Sequence, residues 1–374
     1  MLDLILDPYG FPFWILIFSI IILVFGLALR PFITHMKFAY TNALFEAIGN
    51  PFIEVKDLDR IVDSKDLSGF KESINNLKDY NIEGENTYEV QQSLDEHFIK
   101  TIKMMRKNSP KDMNNFYDTY LEKLDLYLVK NMLRNKLEDK TIQDIKIDEA
   151  KLEITKELFQ KIKENEKKDL PEILKKYGFE KEITDIISQE KINYFILDNK
   201  LNKYIINKFK QVKVPYKCEQ GKQVFIKRMI DILNIKNVLR AIQLSYNKES
   251  CQQLFLGEGQ EIAPWKYKEI VDVDQVSQGI SSIEGTSYYN VLKDNIEEYN
   301  KENSVQVLEN ALDGLFLKLV RDISLQYFVS IGPTIRYLIS KEFEIQNLKV
   351  IAKGLGENLS SDIIKKFIVT EVKA

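Results

Sequence analysis

The chain has 374 residues, of which 44% are apolar and 29% charged, enough to bury the cores of two or three domains. Only 15 glycines and 9 prolines interrupt it, which favours long helices over many short strands. The formal net charge of −3 excludes a typical nucleic-acid partner, because a phosphate-binding domain should be distinctly basic.

The first predicted element is an uncharged apolar segment at residues 11–29, FPFWILIFSIIILVFGLAL. At a rise of about 1.5 Å per residue, a helix of this length reaches about 28 Å, close to the hydrocarbon thickness of a bilayer. Arg30 and Lys37 follow the segment, whereas Asp3 and Asp7 precede it. The positive-inside rule therefore predicts a cell-membrane anchor at residues 1–35, with its N-terminus outside and the bulk of the chain in the cytoplasm.

Two alternatives to a retained anchor follow from the same segment. A cleaved signal peptide would need a basic n-region and a shorter apolar stretch than residues 11–29 provide. Met36 could also start a form of the chain that lacks the segment. The expectations for the remainder of the chain hold in either case.

Beyond residue 37 the hydrophobic pattern is helical. Apolar residues recur at spacings of three or four in each third of the chain, namely Val90, Leu94, Phe98, Ile102 and Met105; Leu201, Tyr204, Ile205 and Phe209; and Val305, Leu308, Leu312, Leu315, Leu319 and Ile323. The last stripe ends at Gly332-Pro333, a break whose proline can also open the next helix. No run alternates as a strand does, so the sequence predicts an all-α fold.

Three segments align without gaps around an asparagine: DLYLVKNMLRNKL from Asp125, DILNIKNVLRAIQ from Asp231 and KEFEIQNLKVIAK from Lys341. The shared positions are Val129, Ile235 and Ile345, followed by Asn131, Asn237 and Asn347. Weaker similarity links the regions after Phe70, Leu170 and Ile280. This regular order predicts three similar helical units, at residues 36–145, 146–247 and 248–374.

The repeated asparagine has two interpretations. An asparagine within a helix costs about half a kcal/mol relative to alanine, so its retention at three equivalent positions needs a reason. We expect the amides of Asn131, Asn237 and Asn347 to bond backbone or side chains between packed helices. Direct contact with a partner is the alternative.

The sequence offers no set of residues suited to catalysis, a cofactor or a metal. It has no GxxxxGK[ST] phosphate loop, and Cys218, Cys251, His35 and His97 are too far apart for a zinc motif. Lysines neighbour the carboxylates, as around Asp139, Glu182 and Glu297, which is typical of solvated helix faces. Two short glycine pairs occur, at 257 and 259 and at 354 and 356, and we expect Gly354 to be a helix C-cap.

From Met36 to its end the chain resembles the C subunit of archaeal-type ATP synthases, which is related to the d subunit of eukaryotic vacuolar ATPases. The resemblance lies in MKFAYTNALFEA at 36–47, the three aligned segments, LFLGEGQEI, GTSYYNVL, and SIGPTIRYLISKEFEIQNLKVIAKGL from Ser330. It implies a funnel of three helical domains around a pseudo-threefold axis. One copy per complex would hold the central stalk at one opening and rest on the membrane proteolipid ring at the other, performing no chemistry.

The chain departs from that family at residues 11–29, because its members typically lack a membrane helix. We hypothesise that this helix descends into the lumen of the ring, since a helix outside the ring would collide with the stator at each turn. A membrane-tethered helical scaffold unrelated to ATP synthesis is the alternative function. It would explain the anchor and the repeats, but not the order of the matched segments.

Overall fold

The computed structural model describes residues 10–48, 52–77, 79–138 and 151–372. Within these ranges the chain forms 18 α-helices and no strand, which confirms the predicted all-α fold. The predicted boundary at 145/146, Asp139, and the acidic residues Asp3 and Asp7 lie outside the described residues.

The helices are numbered in chain order. They are α1 Phe11–Ile48, α2 Val55–Val62, α3 Leu67–Asn75, α4 Thr87–Asn108, α5 Asn114–Leu137, α6 Glu153–Glu164, α7 Leu170–Lys176, α8 Lys181–Ile187, α9 Tyr194–Gln211, α10 Cys218–Gln243, α11 Lys248–Gln253, α12 Pro264–Val271, α13 Val276–Ser282, α14 Tyr289–Asp294, α15 Ile296–Glu302, α16 Gln306–Gln326, α17 Gly332–Gly356 and α18 Ser361–Lys365. Two 3₁₀ turns, Lys111–Met113 and Lys167–Asp169, precede α5 and α7.

Helix α1 is a single helix of 38 residues that runs through the predicted boundary between anchor and body. Pro31 lies inside it, although proline removes one backbone hydrogen bond from a helix interior. Within the described chain, α1 is the helix that is long and apolar enough to cross a membrane, and its most apolar part is not buried at all. One face becomes buried only in the second half, at Thr34, Phe38, Thr41, Asn42 and Phe45.

Three pairs of long helices form the body. Helices α4 and α5, α9 and α10, and α16 and α17 follow one another in the chain and pack against each other within each pair. The second helix of each pair carries one of the three aligned segments. The helical stripe predicted in the first third is the buried face of α4, where Val90, Leu94, Phe98, Ile102 and Met105 are at most 4% exposed.

The contacts between pairs close into a circuit. Helix α5 packs on α9, α10 packs on α16, and α17 packs on α4, which joins the last pair to the first. The short helices repeat the pattern, because α6 packs on α5, α12 and α13 on α10, and α3 on α17. A closed arrangement of three tandem units predicts this set of contacts, although the division into units at 36–145, 146–247 and 248–374 remains a prediction.

The predicted helix break at Gly332-Pro333 is confirmed, because α17 begins at this dipeptide with the proline in its first turn. The predicted C-cap at Gly354 is wrong. The helix continues to Gly356, and a Cβ atom at Gly354 would lie 2.5 Å from Ile364 Cγ1. The glycine is therefore required by the close approach of α18, a tertiary contact that the local sequence does not show.

We expect Gly332→Ala to lower the free energy of unfolding by about 2 kcal/mol, the range of overpacked sites. Its Cβ atom would lie 2.8 Å from the carbonyl oxygens of both Ser324 and Tyr327, which are backbone atoms with little freedom to move. Denaturant unfolding in detergent measures the change. Gly69→Ala in α3 is the control, because the nearest atom would be 3.6 Å away. Equal unfolding of the two variants would contradict the packing described at this turn.

Candidate functional site

Asp231, on α10, is a buried carboxylate that holds the loop before α12. It accepts hydrogen bonds from the backbone N–H groups of residues 260–262, at 2.9, 2.9 and 3.0 Å, and from the Tyr288 hydroxyl at 2.8 Å. Burial raises the pKa of Asp231, and these four donors act against that rise by stabilising the charged form. A Cβ atom at Gly259 would lie 1.7 Å from Asp231 Oδ1, so the loop can close over the carboxylate only with glycine there.

Carboxylates on α5 and α17, the corresponding helices of the other two pairs, hold backbone segments in the same way. Asp125, on α5, accepts hydrogen bonds from the N–H groups of Lys151 and Leu152, at 2.7 and 3.0 Å, just before α6. Glu344, on α17, accepts one from the N–H of Ile53 at 2.9 Å, just before α2. Each second long helix is thus fastened to the backbone that leads into the next set of short helices.

The Glu344 contact differs from the other two because a lysine and a tyrosine complete it. Lys341 Nζ donates to Glu344 at 2.6 Å, the Tyr80 hydroxyl donates to the same carboxylate, and both charged side chains are 6% exposed. Tyr80 also stacks on the His97 ring at 4.4 Å. Burial lowers the pKa of His97, and the positive charge of Lys341 lowers it further.

An ion pair joins the long helices at each of the three contacts between pairs. These are Glu122–Lys208 between α5 and α9, Lys236–Asp313 at 2.8 Å between α10 and α16, and Asp95–Lys349 at 2.7 Å between α4 and α17. The side chains are partly buried, so salt screens these pairs less than fully solvated ones. The same kind of interaction therefore supports each contact of the circuit.

Two adjacent cavities of about 310 and 730 Å³ lie among the long helices. Long helices of all three pairs line the smaller cavity, whereas the first and third pairs and α6 line the larger one. Lys123, Tyr127, Glu342 and Gln346 line both of them. Among the described residues, lysines outnumber carboxylates in the combined lining by eight to five; they are Lys100, Lys103, Lys123, Lys130, Lys151, Lys156, Lys236 and Lys349 against Asp95, Glu96, Glu153, Asp313 and Glu342. The two cavities together, called the charged cavity below, therefore have a positively charged lining in a chain whose net charge is −3.

The middle of α1 contacts the connection within each of the three long pairs. The contacts are Thr41 Oγ1 to the Asn108 carbonyl at 2.6 Å, Asn42 Nδ2 to the Phe328 carbonyl at 2.6 Å, and the Arg30 guanidinium over the Tyr216 ring at 4.3 Å. One short stretch of a single helix thus reaches all three pairs.

The six repeat positions lie on α5, α10 and α17, as the alignment requires. Val129, Ile235 and Ile345 are buried, at 3%, 0% and 2% exposure. Asn131, Asn237 and Asn347 differ in their surroundings: Asn347 exchanges two hydrogen bonds with the Val369 backbone, the buried Asn237 Nδ2 has no partner among the described residues, and Asn131 is half-buried. A shared role for the asparagines stays a prediction.

Sequence reasoning missed the carboxylates that fasten the circuit. Asp125 and Asp231 occupy the same column at the start of their aligned segments, which was a usable signal. Glu344 could not be found in that way, because it lies three residues after the column, where Lys341 replaces the aspartate.

No group of three or more His, Cys, Asp or Glu side chains that could hold a metal ion occurs in the part of the chain that the structure describes. Cys218 and Cys251 are both buried as free thiols, and burial raises the pKa of the Cys218 thiol to about 12. A thiol held in its neutral form is a poor nucleophile or ligand.

We expect Asp231→Asn to lower the free energy of unfolding by about 3 kcal/mol, because an amide can accept at only one atom and its NH₂ group would face N–H donors. Denaturant unfolding measures this. Asp274→Asn, at an exposed loop position, is the matched control and should change stability by less than about 0.5 kcal/mol. If both variants unfold alike, the carboxylate does not fasten the loop.

We expect His97 to make the protein less stable as the pH falls. Its folded-state pKa lies below the ordinary 6.5, so the unfolded chain binds the proton more readily and stability is lost as the pH drops through 6.5. His97→Phe keeps a ring against Tyr80 and should reduce the fall in Tm between about pH 7 and 5. His35→Phe, at an exposed position, is the matched control for replacing an imidazole by a phenyl ring. A pH profile that neither substitution alters would rule out this assignment.

Comparison with known proteins gives a consistent family. The family model described as ATP synthase (C/AC39) subunit matches residues 41–367, so the apolar residues 11–29 lie outside the match. Similar proteins include the C subunit of the A-type ATP synthase of Methanosphaera stadtmanae, 24% identical over 91% of this chain and 90% of that protein. The corresponding C subunits of Methanobrevibacter smithii and Methanocaldococcus jannaschii are each 26% identical, over 88% and 89% of this chain and 86% of each relative. The chain therefore belongs to the ATP synthase C/AC39 subunit family.

Proposed function

We propose that this chain is the rotor subunit that couples the central stalk of an A-type ATP synthase to its membrane proteolipid ring. Ion movement through the ring would then drive ATP synthesis, or ATP hydrolysis would drive ion movement, with the active sites on other subunits. The observation that carries the proposal is the closed circuit of three long helix pairs around a charged cavity, in a chain of this subunit family.

Torque transfer requires a body that does not shear. An open row of three helix pairs could twist at its free ends, whereas the contact between α17 and α4 leaves no free end in the circuit. Close-packed helix interfaces resist deformation, because any slip between them opens voids and separates partnered groups. The carboxylate and ion-pair contacts repeated at all three junctions support the same stiffness.

The charged cavity is the proposed site for the foot of the central stalk. Long helices of all three pairs line it, so a single inserted element could contact the whole circuit. Its excess of lysines favours a stalk segment with an acidic face, because complementary charges speed association and fix orientation. The three units, at 36–145, 146–247 and 248–374, would then surround the stalk in one copy per complex.

The family points to membrane association, and α1 supplies an apolar helix suited to it. Arg30 directly follows the apolar segment and Lys37 lies eight residues after its end, so we propose that the body is on the cytoplasmic side and the N-terminus outside. The stalk and the ring would both be reached from that side.

Purification from native membranes tests the proposed function against a scaffold unrelated to ATP synthesis. With an affinity tag on a central-stalk protein, we expect this chain and the proteolipid to be recovered together, with one copy of this chain per complex. Recovery of the stalk and ring without this chain, under conditions that keep other subunits attached, would refute the proposal.

The double substitution Lys100→Glu and Lys103→Glu should weaken binding of the isolated stalk by about tenfold at low ionic strength, because it reverses two charges of the cavity lining. The difference should shrink as salt is added. Lys268→Glu with Lys301→Glu, at exposed positions that do not line the two cavities, is the matched control and should bind normally. Equal affinity of both variants would place the stalk site elsewhere.

A further inference from the structure

We infer that the apolar half of α1, residues 11–29, occupies the lumen of the proteolipid ring and packs against its inward-facing apolar surface. This inference rests on the proposed function, since it needs the body to sit on the ring. It adds a second contact between this protein and the ring, inside the membrane and on the rotation axis.

The position of α1 at the body supports a place near the axis. Between Arg30 and Asn42, a length of about 18 Å, the helix touches the connections within all three long pairs. In a circuit of three related pairs, the three connections lie at similar distances from the central axis. A helix that reaches all three over so short a length must leave the body close to that axis.

The second half of α1 is held firmly by the body, and the contact of Arg30 with Tyr216 extends this hold past Pro31 to the start of the apolar half. Phe38 and Phe45 are 0% and 1% exposed, and Phe45 stacks on Tyr337 at 5.4 Å. Asn42 donates a further hydrogen bond to the Ser330 carbonyl at 3.1 Å. The helix is continuous from this anchored part to Phe11, so the body determines where the apolar half emerges.

The surface of the apolar half requires an apolar environment. Phe11 is 79% exposed, Ile22 is 70% exposed and Phe25 is 63% exposed in the chain on its own. The hydroxyl of Ser19 donates within the helix, to the Ile15 carbonyl at 2.7 Å. The indole N–H of Trp14, near the far end of the helix, is then the polar side-chain group left to be satisfied, and an indole is suited to the boundary between lipid and water. The occupant that fits the rest of this surface is therefore an apolar wall or lipid.

Length decides between the lumen and the bilayer outside the ring. A helix that starts near the axis would first have to pass beneath the whole ring wall, and a wall only one helix thick would already take about 10 Å. Residues 11–29 supply about 28 Å, which is just enough to cross the hydrocarbon core once. They cannot both travel outward past the wall and cross the bilayer, so the lumen is the only apolar space within reach.

Cysteine cross-linking in the intact complex, isolated through a tag on a stalk protein, tests this inference. Leu23→Cys places a thiol at a 64% exposed position of the apolar half, and Tyr40→Cys, 65% exposed beyond it, is the matched control. We expect Leu23→Cys to cross-link with a cysteine on the inward face of the ring at mid-membrane depth, and Tyr40→Cys to form no such link. Because both partners rotate together, the cross-linked complex should keep ATP-driven ion transport.

Other results would overturn the inference. They are a cross-link from Leu23→Cys to the outward face of the ring or to a stationary protein of the complex, no cross-link to the inward face, or loss of ion transport on cross-linking. Absence of the chain from the isolated complex would instead refute the proposed function. Recovery of each variant in the complex shows that it folds and assembles, so a missing cross-link counts against the lumenal position alone.

Discussion

The contact of α17 with α4, with α5 and with the segment before α2 is the constraint on which the rest of the structure depends. It joins residues that are more than two hundred positions apart, and it buries charge to do so. Glu342 takes hydrogen bonds from Lys123 at 2.7 Å and from the Tyr120 hydroxyl, and Glu344 holds the N–H of Ile53. Such buried carboxylates are costly unless every one is paired, so α17 is stable in this position only when the first third of the chain surrounds it. The packing of α17 in this position and the closure of the circuit of helix pairs therefore depend on each other.

The proposed function follows from that closure. A closed circuit has an inside, where we propose that the stalk binds, and an axis, beside which we infer that α1 leaves the body. The same three helix pairs would then hold a stalk within and direct a membrane helix below. In this proposed role the molecule would transmit force through stiff, closely packed helix interfaces, and it would need no active site of its own.

Much of this could be predicted from the sequence, because the signals are local or repeated. The apolar segment 11–29, the stripe on α4 and the break at Gly332-Pro333 each depend on neighbouring residues, and the three aligned segments lie on α5, α10 and α17 as expected. The misses depend on tertiary contacts. Gly354 lies inside α17, and the close approach of Ile364 from α18 accounts for a glycine there. The surroundings of Asn131, Asn237 and Asn347 depend on what packs against each copy, so a shared role for them stays a prediction.

Zero-length cross-linking with a carbodiimide tests the closed circuit most directly. The reagent joins only amines and carboxylates already in contact, and Lys349 and Asp95 lie 2.7 Å apart across the closing junction. We predict that mass spectrometry of the monomeric protein finds a peptide linking residues 95 and 349, alongside one linking Lys236 and Asp313, which are 2.8 Å apart at another junction. Recovery of the second link without the first, from folded protein, would show that the circuit is open and would contradict the closure on which the proposed function depends.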